Sequence, residues 1–370
     1  MRIAFFCSTP YQIINAINIK ENVYRFDFAD IYVLKHFHQF DLIVERLNII
    51  GVFNCVYGIE DGDFDYRYVL PPIKRYPLKI KDFIWCDKVI KPYVNTDHVY
   101  DAVFYTFPNM LIEFSCYYFI TKNKNIKFYM FEDGFSSYSD DLLAISNAKS
   151  LFLKAMGRKQ FLDVNHELFL YAPELFCKSR EKKAYIVRQL PLLRGADSHL
   201  RRIYNSLFNL EATSCIAESV LFFEQPYEDE AVNQCIRKTL DLIIDRVDEM
   251  NLCIKLHPRG RKELYQGLKL YPFSSVPMEV LYQNMPDLGS KVLISSVSTA
   301  CITPKLVFGE EPRLLLLYKY LRLEKRGIIT PSLVQFIEKV VNTYADKAKI
   351  MIPQDKSELM KCIESIGELG

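Results

Sequence analysis

The sequence predicts an α/β protein of two Rossmann-like domains, residues 1–190 and 191–370, facing each other across a cleft. Three observations predict it. Short apolar runs alternate with segments of helical spacing along the first half. The alternation fails between about 175 and 215 and then begins again. Polar motifs stand directly after several of the apolar runs. Strands apolar on both faces, with helices between them, form parallel sheets. A chain of 370 residues is long enough for two separate cores.

In the first half RIAFFCS reads as a strand, and PYQIINAINIKENVY follows with Ile13, Ile14, Ile17 and Tyr24 at helical spacing. FADIYVL, VFNCVYG, DAVFYTF and IKFYMF read as further strands, with FDLIVERLNII and NMLIEFSCYYFI as helices between them. The second half repeats the scheme. ESVLFFEQ, LCIKL, KVLIS, RLLLLY and KIMI are predicted strands. EDEAVNQCIRKTLDLIIDRVDEM is a long amphipathic helix with an acidic first turn, SVSTACITPKLVFG is a second helix, and KSELMKCIESIG is the last. The basic stretch near 178–202 is placed in the linker.

Composition excludes some classes of function. Half of the residues are hydrophobic and 25% are charged, which is globular rather than disordered. A net charge of +2 gives no electrostatic ground for nucleic-acid binding. Aromatic residues reach 14%, but a large core, an apolar groove and a sugar-stacking surface would each raise them. Ten cysteines stand singly with no CxxC pair, many inside apolar runs, which reads as reduced thiols in a cytoplasmic chain. No run reaches the roughly 18 apolar residues of a membrane span, and the N-terminal run is too short for a signal peptide. A membrane-bound substrate is therefore expected to be met from the cytoplasmic side.

Ligands of open α/β sheets sit beyond the carboxyl ends of the strands. The residues that follow the predicted strands are 8–12, 132–134, 225–226, 257–260 and 295–299. No GxxxxGK[ST] loop occurs and no GxGxxG follows the first strand, which argues against kinases and dehydrogenases. The hydroxyls of ISSVSTA precede a predicted helix start, where N–H groups favour an anion; an N-cap by Ser296 or Ser298 with no ligand is the alternative. His257 in KLHPRG suits a phosphate contact, and a simple His-Pro turn does too. Glu132 and Asp133 in FEDG form an acid pair at an apolar mouth, a setting that raises a carboxyl pKa toward that of a general base; a solvated pair in a loop is the alternative. EDG recurs at 60–62, and Asp61, Asp63 and Asp65 have DxD spacing, in a weaker strand context.

Taken in order, EDG at 132–134, HPRG at 257–260 and SS at 295–296 resemble the motifs of bacterial sialyltransferases with two Rossmann domains, the GT-B type of glycosyltransferase. FFCSTPYQIINA and PMEVL at 277–281 are similar to stretches of glycosyltransferase family 52, which acts on lipooligosaccharides and capsular sugars. The resemblance implies an inverting transfer from CMP-sialic acid to a terminal galactoside. It makes Asp133 the general base and His257 the partner of the leaving phosphate. Ser295 and Ser296 would hold that phosphate, with Ser298, Thr299, Pro258, Arg259 and Gln225 beside them, and Glu279 would take the ribose. Thr9, Tyr11, Gln12, Glu132 and Gly134 fall on the acceptor or sialic-acid side.

No cofactor or metal is implied, since CMP-sialic acid is a substrate. The chain departs from some members in having Glu132 where they have Asp, and family 52 also contains α-glucosyltransferases. An α-glucosyltransferase, a polymerising sialyltransferase and a non-catalytic nucleotide-binding protein of a glycan cluster remain as alternatives. For PPIKRYPLKIKDFIW, 71–85, two readings stand: peripheral contact with the inner face of the cytoplasmic membrane or an anionic glycan, and a solvated loop. A homodimer is left open.

Overall fold

The computed structural model describes residues 1–62, 64, 71–106, 109–138, 166–176, 186–193, 198–210, 216–247, 251–257, 260, 262–272, 276–285 and 287–367. They form two compact units, one of 1–191 with 206–208 and one of 192–205 with 209–370.

The first unit runs β1 (Arg2–Cys7), α1 (Pro10–Asn22), β2 (Phe28–Leu34), α2 (Phe40–Ile50), β3 (Cys55–Ile59), α3 (Pro72–Ile84), α4 (Cys86–Ile90), β4 (Ala102–Tyr105), α5 (Met110–Lys122), β5 (Lys127–Phe131), β6 (His166–Leu170) and β7 (Ile186–Gln189). Its strands make one parallel sheet in the order β3-β2-β1-β4-β5-β6-β7. The chain moves outward from β1 to β3, then returns to the other side of β1 at β4. That places the topological switch between β1 and β4.

Much of the aromatic content lies in two ladders across this sheet. Phe6, Tyr32 and Tyr57 are in register on β1, β2 and β3, with ring centroids 4.8 and 4.7 Å apart. Residues one position away point to the opposite face. There Phe5 stacks on Phe104 across β1 and β4 at 4.8 Å, and Tyr129 on β5 lies tilted against Phe104 at 4.7 Å. Such cross-strand ring pairs each add roughly 0.5–1.5 kcal/mol beyond the area they bury.

After α6 (Ser198–Phe208), the second sheet comprises β8 (Val220–Phe223), β9 (Leu252–Lys255), β10 (Val292–Ser295), β11 (Arg313–Leu316) and β12 (Ile350–Met351). All pairings are parallel, in the order β12-β11-β10-β8-β9, so the switch lies between β8 and β10. The helices are α7 (Glu230–Ile244), α8 (Met278–Gln283), α9 (Pro331–Asn342) and α10 (Lys356–Gly367).

Four sequence expectations need correction. SVSTACITPKLVFG is not one helix. A 3₁₀ turn at Thr299–Cys301 is followed by a π-helical turn at Pro304–Phe308. Pro304 has no N–H to continue an α ladder. Residues 72–84 form α3 where a loop was one of the readings: Pro72 occupies the first helical position, at which its missing N–H has no intrahelical partner to lose. β7 lies where the alternation fails, because its IVRQ is an edge strand with exposed or half-buried side chains and no apolar run. The long helix ends at Ile244, short of the acidic DRVDEM end.

Lys291, just before β10, shows how tightly the second sheet is tied to its entry segment. It is buried, and its Nζ donates to the carbonyls of Ile216, Ala217 and Glu218 at 3.3, 3.1 and 2.9 Å. Lys291→Met keeps the stem and strips those acceptors of a charged donor. The expected cost is roughly 1–3 kcal/mol, read by calorimetry as a transition several degrees lower. An unchanged melting temperature would show that water replaces the ammonium.

Candidate active site

The first cluster is built where β1, β5 and β6 end. Thr9 caps α1, its hydroxyl accepting the Gln12 N–H at 3.3 Å, and Pro10 follows as the first helical residue. α1 is buried nearly all round, polar residues included. Gln12, Asn15 and Asn18, three residues apart, share one helix face. Gln12 Oε1 accepts the Ser8 N–H at 2.6 Å, and its Nε2 donates to Asp133 Oδ2 at 2.9 Å. Asn15 Nδ2 donates to the Glu132 carbonyl at 2.9 Å, while Asn15 Oδ1 accepts the Tyr171 hydroxyl at 2.8 Å. Asn18 donates to Tyr171 Oη and to the Pro191 carbonyl.

Glu132 and Asp133 are adjacent and differently placed. Glu132 is 2% exposed. Its Oε1 accepts from the Tyr11 hydroxyl at 3.1 Å, and its Oε2 accepts from the Tyr138 hydroxyl and, at 2.8 Å, from the Tyr171 N–H. Burial pushes its carboxyl up to about 7, against the pull of those three donors and with a small push from Asp133. Asp133 is partly exposed. Burial also raises its pKa, and the Gln12 amide opposes the rise. Among the described residues, Asp133 Oδ1 accepts no hydrogen bond. The Asp133 N–H donates to Ser137 Oγ at 2.7 Å. Gly134 has φ +75° with open space where a Cβ would stand, so backbone conformation is what favours glycine there.

The second cluster sits at the switch point of the other sheet. Ser295, Phe223 and Lys255 are in register at the ends of β10, β8 and β9, and the residues beyond them form the rim. Ser295 is fully buried, and its hydroxyl donates to the Phe223 carbonyl and accepts the Ser298 N–H at 3.0 Å. Ser296, Tyr227 and Gln225 form a triangle. Ser296 Oγ and Tyr227 Oη are 2.7 Å apart, and each reaches Gln225 Oε1, at 3.2 and 2.9 Å. Burial raises the Tyr227 hydroxyl to about 12. Ser298 accepts the Ala300 N–H, and Thr299 is exposed at the head of the 3₁₀ turn.

His257 is partly exposed, and its N–H donates to Glu224 Oε2 at 3.0 Å. Its carbonyl accepts the Gly260 N–H at 2.8 Å. A Cβ on Gly260 would lie 1.7 Å from Glu224 Oε2, so glycine there is what admits the carboxylate. Pro258 and Arg259 lie outside the described residues, as do Asp63 and Asp65. Glu279 stands in the first turn of α8. Burial lifts it to about 7, and the Lys255 charge opposes the rise. Burial lowers Lys255 to about 8, with Glu279 opposing.

The sequence reading omitted Asn15, Asn18, Tyr138, Tyr171, Glu224, Tyr227 and Lys255. The asparagines were detectable as polar residues three apart inside an apolar helix. Glu224 was detectable from FFEQ, which matches MFED at the end of β5. The others come close only through the fold. Asp61 of the second EDG is buried and bonded to His36 Nε2 at 2.9 Å and to Asn109 Nδ2 at 3.1 Å. Among the described residues no group of three or more His, Cys, Asp or Glu could hold a metal ion.

Two units, each a parallel sheet with a topological switch and polar residues clustered past the carboxyl ends of its strands, have the α/β arrangement in which open sheets generally carry ligands. The chain belongs to the alpha-2,8-polysialyltransferase family, whose model matches residues 4–312. It is therefore a glycosyltransferase of sialyltransferase type, and membership implies a nucleotide-sugar donor and a glycan acceptor. No curated protein matches the chain. Similar solved structures include Arabidopsis thaliana UGT89C1 complexed with UDP-L-rhamnose, at 12% identity and a TM-score of 0.48, covering 99% of this chain and 89% of that one. Acinetobacter baumannii MurG is 10% identical at a TM-score of 0.46, covering 100% of this chain and 92% of that one.

The buried glutamate makes stability depend on pH. Glu132 titrates near 7 in the folded chain, against 4.5 ordinarily. The folded state thus holds a proton that the unfolded chain releases. The resulting stabilisation is complete below about 4.5, declines as pH rises and is gone above about 7. Between those limits Glu132 contributes up to about 3 kcal/mol of pH-dependent stability. Glu132→Gln is expected to flatten the stability profile between pH 5 and 7.5, leaving the slope that Glu279 supplies. A variant curve parallel to wild type in urea titrations would place the Glu132 carboxyl elsewhere on the pH scale.

Proposed function

We propose that the protein is an inverting sialyltransferase that uses CMP-sialic acid, with Asp133 as general base and the β8–β10 rim as the CMP site. The observation that carries this reading is the asymmetry of the acid pair. Glu132 is enclosed and bonded by three donors. Asp133 reaches the surface, is oriented through Oδ2 by Gln12, and has Oδ1 directed to no protein donor among the described residues. A base needs that combination of fixed orientation and an open oxygen.

In the proposed reaction Asp133 Oδ1 takes the acceptor hydroxyl proton as the oxygen attacks the anomeric carbon. The bond from that carbon to the phosphate oxygen breaks, and CMP leaves with the electron pair. His257 offsets the charge on the departing phosphate, with Ser296, Tyr227 and Ser298 supplying donors. Ser295 supports the turn from inside rather than touching phosphate. Glu279 and Lys255 face the ribose side, and Thr299, Pro258 and Arg259 complete the donor side. Tyr11 and Gln12 act by holding the acid pair, while Thr9 and Gly134 shape the acceptor side. No metal takes part, so turnover is expected to persist in EDTA. The GT-B arrangement and the kinship with family 52 belong to this proposal.

The family's description favours a sialic-acid-terminated acceptor and 2,8 linkage over the terminal galactoside that the motifs imply. It also favours a polymerising enzyme over an α-glucosyltransferase. Cytoplasmic placement, with a lipooligosaccharide or capsular glycan as acceptor, goes with either sialyl acceptor.

CMP release from CMP-sialic acid is measured with an oligosialic acid, with lactose and with neither, all in EDTA. Release that depends on oligosialic acid supports the polymerising form, and release that depends on lactose restores the galactoside. Asp133→Asn is expected to lower kcat about 10²- to 10⁴-fold and leave CMP affinity within about twofold. His257→Ala is expected to weaken CMP binding and lower kcat together. Turnover surviving in Asp133→Asn would refute the base, and absence of CMP binding to wild type would refute the donor.

A further inference from the structure

The second inference does not depend on the transfer chemistry. α3 carries an apolar stripe on its outer face: Ile73 is 88% exposed, Ile80 41% and Ile84 51%, with Pro77 exposed between them. Positions 73, 77, 80 and 84 are spaced by four, three and four and fall on one side of a helix. The stripe is about 16 Å long at 1.5 Å per residue. Asp82, on the opposite side, and Phe83, about a quarter turn from the stripe, are buried in the first unit. Trp85 closes the helix with half of its side chain exposed, and Lys88 Nζ stands 4.5 Å from its ring. Lys74 and Lys81 are exposed seven residues apart along one flank.

Burial of these isoleucines would be favourable, since each leaves apolar surface in water. Charge decides among the surfaces that could cover them. The exposed charges beside the stripe are mainly cations: Lys74 and Lys81 on its flank, with Lys88 beside Trp85 and Lys91 beyond, against Asp87. A second copy docked on this face would set one cationic flank against another. A nucleic acid would meet the cations but has no use for an isoleucine stripe. An interface of anionic headgroups over acyl chains matches both parts, with lysines at the phosphates and isoleucine and tryptophan at the boundary below.

We propose that α3 and Trp85 are a peripheral docking face for an anionic phospholipid bilayer, lying in its surface. Among the described residues no helix is long and apolar enough to cross a membrane, so attachment through this face is reversible and salt-sensitive.

Trp85 is the only tryptophan in the sequence, so its fluorescence reports on this face alone. The whole chain is titrated with vesicles of phosphatidylethanolamine containing about a quarter phosphatidylglycerol, and with pure phosphatidylcholine vesicles. Sedimentation and Trp85 emission are read at ionic strengths of about 0.1 and about 0.5 M. With phosphatidylglycerol the expected results are co-sedimentation, a blue shift and protection from iodide. All three should weaken at high salt and be small on phosphatidylcholine. Lys74→Gln, Lys81→Gln and Lys88→Gln are each expected to weaken binding about fivefold, and joint replacement of Ile73, Ile80 and Ile84 by Ser to abolish it. These side chains are exposed, so the variants should melt like wild type.

Co-sedimentation with no change at Trp85 would mean that another surface binds lipid, and would overturn the assignment. So would absence of binding to either vesicle. A Trp85 shift that follows protein concentration without lipid would assign the face to a second copy. A shift on adding an acidic protein, with none on vesicles, would assign it to a protein partner. The wild-type fluorescence decides the matter even if a variant fails to fold.

Discussion

The buried carboxylate of Glu132 is the constraint on which the first unit's rim depends. An ionised carboxylate in an apolar mouth is costly unless its lone pairs are filled. Three donors come from separate parts of the chain: Tyr11 from α1, Tyr138 from the turn after the acid pair, and the Tyr171 N–H from the end of β6. Two of them are fixed further: the Tyr138 hydroxyl accepts the Ala172 N–H, and Tyr171 is bonded through its hydroxyl to Asn15 and Asn18. Because Glu132 is pinned, the next residue cannot turn inward as well. Asp133 emerges beside Gln12, which is itself held by the Ser8 N–H. One residue's burial thus sets the other's exposure, and two identical functional groups receive different environments from one turn of chain.

The second unit uses the same device. Glu224 follows Phe223 at the end of β8 as Glu132 follows Phe131 at the end of β5. Each glutamate gives its N–H to a carbonyl of the neighbouring strand, Lys255 in one case and Phe169 in the other. Each accepts, through Oε2, an N–H from the residues just past that neighbour, His257 or Tyr171. The parallel is in backbone geometry and covers only a few residues, which is why a search for repeats of 20 to 50 residues passes over it. What differs is the next side chain. In one unit it is an acid with an open oxygen, and in the other it is an amide that collects two hydroxyls.

The sheets were legible because their strands are continuous apolar runs. FADIYVL and KSELMKCIESIG are observed as strand and helix over the same residues that the sequence predicts. Where solvent takes over, the pattern goes quiet. IVRQ pairs through its backbone on an edge and needs no apolar run to do so. α9 was overlooked even though Thr330 and Pro331 are ordinary start signals. At the sites, punctuation after strands drew attention to Asp133, His257 and Ser296. It did not tell the two serines apart, since Ser295 and Ser296 look alike in sequence. Both are buried, and their partners separate them: the Ser295 hydroxyl bonds the Phe223 carbonyl and the Ser298 N–H, while Ser296 bonds Tyr227 and Gln225. Gln12 is a similar case, polar at a loop end and yet buried with its amide engaged.

The rim at β8 and β10 has no glycine-rich loop, so a phosphate held there must find its donors among side chains and one short turn. The triangle of Ser296, Tyr227 and Gln225 has three edges and only two hydroxyl protons, because the Gln225 oxygen can only accept. One edge is therefore always without a hydrogen bond. A ligand oxygen arriving at the rim can take one of the two protons while the other still serves the triangle, so binding reorients hydroxyls without breaking the scaffold. A P-loop, by contrast, wraps several backbone N–H groups around a chain of phosphates. Sparse, rotatable donors of this kind fit the single phosphate of the CMP donor proposed above. The Glu224 carboxylate accepts the His257 N–H, so the backbone at His257 is tied to the end of β8 as firmly as Tyr171 is tied to the end of β5.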